Sequence, residues 1–184
     1  MGNAPNPIPV MVITGPMGAG KSTVADAISA VLEERGILHA TIDQDYLRVV
    51  RPTPADDRFG ARLGYRNLAA IWPNVLEAGI RCATIADVVE NRAQSLCAYA
   101  EAMPGAAITV VRLDVPMDVI EQRLAQRERT PEYLAWSQAR AVELQAIMER
   151  ERVEDILIDV GERAPHDVAE EILQRCGVMS ARAT

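Results

Sequence analysis

The first legible pattern in the chain is a continuous apolar run at 8–14, Ile-Pro-Val-Met-Val-Ile-Thr, which ends on Gly15. A run without polar alternation suits a strand covered on both faces, as in a parallel sheet. From Lys21 the period changes: Val24, Ala27, Ile28, Val31 and Leu32 recur at helical spacing, and Gly36 supplies a stop. The same alternation continues to the end of the chain. Apolar runs at 37–42, 80–86, 108–113 and 156–160 predict four more strands. Helices are predicted over 68–76, 91–103, from Pro116 to 128, over 131–151 and over 166–175, with Gly79, Pro104-Gly105 and Gly177 closing three of them. Pro73 is expected to kink or divide the 68–76 helix. There is no internal repeat, low-complexity tract or linker, so residues 1–184 are expected to form a single α/β domain, a doubly wound sheet. Right-handed crossovers then bring the strand-end loops to one edge.

Composition narrows the partners. With 49% apolar residues among 184, the chain can bury a substantial core. Cys82, Cys97 and Cys176 are odd in number, widely separated and without metal-ligand spacing, so neither a disulfide framework nor a zinc site is expected. A net charge of -7 argues against a broad nucleic-acid surface. Residues 1–10 lack the basic-then-apolar order of a signal peptide, and no apolar run reaches bilayer length. The expectation is a cytoplasmic protein with no membrane or nucleic-acid partner; a homodimer is compatible with the sequence.

The candidate chemistry starts where the first strand ends. Gly15-Pro16-Met17-Gly18-Ala19-Gly20-Lys21-Ser22 fits G-x-x-x-x-G-K-[ST] between a buried strand and a helix, the context that a phosphate-binding loop requires. Glycines let the amides of the loop, Met17 and Ala19 among them, turn inward, and the helix N-terminus adds its dipole. Lys21 reaches the β- and γ-phosphates, the Ser22 hydroxyl is placed for magnesium, and Thr23 can bond the α-phosphate. ATP and Mg²⁺ are therefore the expected cofactors.

Asp43 and Asp45 stand at the end of the second predicted strand, on the same edge as the loop. A hydroxyl acceptor must lose its proton, and a carboxylate near both acceptor and metal can take it, which makes Asp45 the candidate base and Asp43 a candidate metal ligand beside Ser22. Either aspartate also suits the cap of a short helix starting near Tyr46. Asp87 ends the third strand, where it could contact metal or substrate or cap the next segment. Arg123 and Arg127 lie four apart on one helix face, suited to adenine stacking and to developing phosphoryl charge, or equally to pairing with Glu121 and Glu128. Arg48, Arg51, Arg58, Arg62 and Arg66 crowd one segment and suggest a polar or anionic acceptor, with Asp56 and Asp57 in position to neutralise part of the cluster. Tyr65, Trp72 and Trp136 are read as packing residues.

With these residues in place, the chain resembles the small P-loop kinases over residues 10–177, a group that includes adenylylsulfate, gluconate and shikimate kinases and chloramphenicol phosphotransferase. Asp45-Tyr46-Leu47-Arg48 is similar to the D-N-V-R segment of adenylylsulfate kinases, and Leu113-Asp114-Val115-Pro116 with Glu121-Gln122-Arg123 resembles their strand and helix before the lid. Val160-Gly161-Glu162-Arg163-Ala164-Pro165 resembles their adenine-covering loop. The resemblance implies a five-stranded sheet in the order 2-3-1-4-5, helices on both faces and a small helical lid at about 127–150. It implies Lys21, Asp45 and Arg127 as catalytic residues, Arg123, Arg163, Ala164 and Pro165 at the nucleotide, and Asp45, Arg48, Arg66 and Asp87 at the acceptor. Gln44 replaces the glycine of adenylylsulfate kinases and Asp87 their serine, which speaks against sulfonucleotide specificity. The expected activity is phosphorylation of a small-molecule hydroxyl. The rival readings are a nucleoside monophosphate kinase, which needs arginines more than a base, and a nucleotide-dependent switch.

Overall fold

The computed structural model describes residues 6–178, and the ends of the expected 1–184 domain lie outside them. Five strands, β1 (Ile8–Thr14), β2 (His39–Asp43), β3 (Cys82–Ala86), β4 (Ala106–Asp114) and β5 (Ile156–Asp159), form one sheet in the order β2-β3-β1-β4-β5. Every neighbouring pair is parallel. This is the P-loop kinase order implied above. β1 lies in the middle, with Val10 in register with Ala83 on one side and Ile108 on the other.

Helices α1 (Lys21–Glu34), α2 (Gln44–Leu47), α3 (Ala61–Glu77), α4 (Arg92–Ala102), α5 (Met117–Arg127), α6 (Pro131–Glu151) and α7 (Pro165–Arg175) connect the strands. Side chains of β1 alternate between two cores, as period-2 geometry requires. Met11 and Ile13 pack with Ile28 and Leu32 of α1, Leu124 of α5 and Ile172 of α7. Val10 and Val12 pack on the other face with Leu68 and Trp72 of α3, Tyr99 of α4 and Met148 of α6. Helices thus cover both faces, and the uninterrupted apolar run of β1 has its physical cause.

Two helices differ from expectation. α3 starts at Ala61 rather than residue 68 and runs through Pro73 undivided. Pro73 and Ala69, whose carbonyl loses its amide partner, are both exposed, so water can satisfy that carbonyl. Gly60 starts the helix at φ 66, and a Cβ there would lie 2.7 Å from the Arg48 carbonyl oxygen, so only glycine lets the chain turn this close to α2. The second difference concerns the lid at 127–150. Ser137, Ala141, Leu144 and Met148 of α6 are buried, so this face of the expected lid packs against the core. No helix among the described residues is long and apolar enough to cross a membrane.

Candidate active site

The phosphate loop follows β1 and closes on α1. Gly18 (φ 82) and Gly20 (φ 94) adopt the left-handed backbone that lets successive amides face inward. At Gly18 a side chain would also be crowded, since a Cβ would stand 3.1 Å from Leu124 Cγ and 3.3 Å from the Ile120 carbonyl oxygen. The Lys21 ammonium donates to the carbonyls of Gly15 and Pro16, each at 3.1 Å, and so lies across the loop. Burial lowers its pKa, while Asp45, Asp87 and Asp43 act in the opposite sense. Three carboxylates therefore share the electrostatic environment of the loop lysine.

Ser22 Oγ donates to Asp43 Oδ2 at 2.7 Å. The other Asp43 oxygen accepts from the Asp45 amide at 2.9 Å and caps α2. Asp43 thus caps α2 with one oxygen while the other accepts from Ser22 at the loop. A hydroxyl and a carboxylate held together at the loop are hard oxygen donors that fit Mg²⁺, which takes few protein ligands and fills its shell with phosphate and water. Asp45 projects outward with its side chain 74% exposed, 3.6 Å from Arg48 Nε.

Asp87, whose side chain is 3% exposed, is the buried member of the set. It is ion-paired to Arg48 and accepts from the Tyr99 hydroxyl at 2.7 Å. Burial pushes its carboxyl above the usual carboxylate range, and Arg48 and Tyr99 draw it part of the way back. Tyr65 packs edge-on to Tyr99 at 5.1 Å, and its phenol is pushed up to about 12 by burial and by Asp87. The sequence contains no signal for this Arg48–Asp87–Tyr99 network, because its members are far apart in the chain. Tyr99→Phe removes a hydrogen bond to a charged group and is expected to cost about 1.5–3 kcal/mol at neutral pH. The raised Asp87 pKa means that the folded state binds the proton more tightly than the unfolded chain, so stability falls as pH rises above the ordinary carboxylate value of about 4. The substitution raises that pKa further and steepens the fall, so urea titrations should show a smaller deficit near pH 4 than at pH 7.

An open cleft of about 1720 Å³ joins these groups. Met17 to Val24, Asp43, Asp45, Arg48, Asp87, Arg123, Arg127, Arg163 and Pro165 line it. Arg66 does not; it borders a neighbouring cavity of about 460 Å³ with Asp56, Asp57 and Arg62. Ala164 is the N-cap of α7 and is also absent from the cleft lining. Arg123 donates to the Ala19 carbonyl at 3.2 Å and so braces the loop. Arg127 is paired with the adjacent Glu128, and Arg163 ties the end of β5, through the Asp159 carbonyl, to Glu171 of α7. Trp72 is core, as expected, but Trp136 is not: 39% exposed, it stacks on Tyr133 at 5.4 Å and lines the cleft. The position falls on the face of α6 turned away from the core. Phe59 and Arg140 also belong to the cleft without any sequence signal; the Arg140 guanidinium lies 5.1 Å from the Phe59 ring and pairs with Glu90 and Glu143.

Residues 10–150 match the model of the AAA domain family. Over 117 residues, 62% of the chain, the sequence is 35% identical to the chloroplastic adenylyl-sulfate kinase 2 of Arabidopsis thaliana, of which it spans 39%. Among solved structures, the tunicamycin resistance protein of Deinococcus radiodurans superposes with TM-score 0.65 at 20% identity, covering 92% of this chain and 96% of that one. The APS kinase of Mycobacterium tuberculosis in complex with AMPPNP and APS superposes with TM-score 0.59 at 24% identity, covering 96% of this chain and 100% of that one. These likenesses establish the fold.

Proposed function

The chain belongs to the AAA domain family, and on that premise we propose that it is an ATP- and Mg²⁺-dependent phosphotransferase acting on a hydroxyl of a small molecule. The observation that carries the proposal is the convergence of Lys21, the Ser22–Asp43 pair and the exposed carboxylate of Asp45 on one sheet edge, at the wall of one cleft. A hydroxyl acceptor has a use for an exposed carboxylate beside a phosphate loop, because it must lose its proton.

Loop amides and Lys21 hold the nucleotide phosphates, and Arg123 keeps the loop in shape. Ser22 and Asp43 are the residues that would hold Mg²⁺, whose charge offsets that of the phosphates. The acceptor oxygen bonds to the γ-phosphorus as the bond from that phosphorus to the bridging oxygen breaks. ADP leaves with the electron pair, and the hydroxyl proton passes to Asp45. Arg127 stabilises charge on the transferred group once it turns from Glu128 towards the phosphates. Arg48, held by Asp87, borders the acceptor.

The test is ADP release with MgATP and pooled hydroxylated metabolites, with Lys21→Ala as the blank. Acceptor-dependent release by the native chain alone is expected; release equal in both proteins, or independent of every acceptor, contradicts the proposal.

A further inference from the structure

The cleft has a distinctive charge and polarity beyond its phosphate loop. Of the nine large apolar side chains left exposed among the described residues, five line this one cleft: Tyr46, Val49, Phe59, Tyr133 and Trp136. Exposed apolar area concentrated in one concave place marks a binding surface. Its arginines, numerous as they are, are mostly spoken for. Arg48 is paired with both Asp87 and Asp45, Arg62 with Asp56, Arg127 with Glu128, Arg140 with Glu90 and Glu143, and Arg163 with Glu171.

Among the described residues, only Arg51, Arg58 and Arg123 of the cleft arginines have no carboxylate within 4.0 Å. Arg123 faces the loop, Arg51 donates to the Val50 carbonyl, and Arg58 lies 5.2 Å from the centre of the Phe59 ring. The carboxylate of Asp43 reduces the remaining positive charge further, and the nucleotide phosphates consume what is left with Lys21.

We infer that the acceptor is an uncharged hydroxylated molecule with a planar or aromatic body, seated against Phe59, Tyr133 and Trp136. The inference rests on the phosphotransferase reading and narrows its substrate. A carboxylate or phosphate on the acceptor would have to draw Arg51 from the Val50 carbonyl or Arg58 from the Phe59 ring, or else displace an existing ion pair and strand a carboxylate in the cleft. A neutral planar body instead gains stacking and apolar contact without that cost. Arg140, held by Glu90 and Glu143, fixes Phe59 as one side of the seat.

The experiment uses one purine body at different charges: adenosine, AMP and adenylylsulfate, each added to full-length protein saturated with magnesium and AMPPNP. Intrinsic fluorescence reports binding, because Trp136 lies in the cleft while Trp72 is buried; Trp136→Phe assigns the signal. Adenosine is expected to bind at least about tenfold more tightly than AMP or adenylylsulfate, with Phe59→Ala weakening it by about tenfold. Tighter binding of either anion, weakened by Arg51→Ala or Arg58→Ala, overturns the inference, as does no response to any of the three. ADP release with MgATP is measured in parallel. Preference for adenosine with no transfer to any pooled acceptor would end the phosphotransferase reading and leave the neutral seat standing; efficient phosphorylation of a hydroxyl of AMP or adenylylsulfate would do the reverse, and transfer to the AMP phosphate would end both.

Discussion

Lys21→Ala is expected to lower acceptor-dependent turnover by about 10²- to 10³-fold, the loss typical of removing one preorganised charge from a developing oxyanion. The reason lies in the position of the ammonium. It crosses the loop on the carbonyls of Gly15 and Pro16, among the fields of Asp43, Asp45 and Asp87, and nothing else in the loop supplies a full positive charge. Stability should move the other way. Burial disfavours this ammonium, so the alanine protein is relieved of a desolvated charge, and its thermal midpoint without nucleotide should hold or rise. Retained stability with lost turnover separates a site defect from a folding defect. A matched fall in both would make Lys21 a structural residue.

Asp45→Asn is the second large effect. The amide keeps the shape of the side chain but accepts no proton, and loss of a general base costs about 10²- to 10⁴-fold in kcat. The side chain is mostly exposed, so folding should be little affected, within about 0.5 kcal/mol. Affinity for MgATP should change little, because Ser22, Asp43 and the loop amides are untouched. Full turnover by this variant would remove Asp45 from the base role. If Arg48→Ala and Arg66→Ala were crippling while Asp45→Asn was silent, transfer to a phosphate rather than a hydroxyl would be the better account.

The parts of this molecule that are legible in its sequence are those governed by local spacing. The apolar run of β1, the glycines and lysine after it, and the helical period of α1 are read within twenty-odd residues of each other, while the strand order comes from resemblance and agrees with the structure. Asp43 and Asp45 are readable because a parallel sheet gathers its strand ends on one edge. Long-range pairing is not. Arg48, Asp87 and Tyr99 meet only because α2, β3 and α4 pack together, and nothing in the spacing of an arginine, an aspartate and a tyrosine announces that. In the arginine-rich segment the local pairing of Arg62 with Asp56 follows the sequence, whereas the pairing of Arg48 with Asp87 needs the fold. Trp136 has the pattern of a packing residue because an isolated aromatic on a long helix usually packs, and here its face of α6 borders the cleft. The start of α3 at Ala61 depends on the close approach of Gly60 to Arg48, a tertiary contact that helical periodicity does not contain.

The most direct measurement of phosphoryl transfer to a hydroxyl is phosphorus NMR of a completed reaction with MgATP and an active acceptor. A new phosphate monoester is expected in one-to-one amount with ADP, absent with Lys21→Ala. ADP accompanied only by inorganic phosphate, or by a new phosphoanhydride in place of the monoester, would contradict transfer to a hydroxyl.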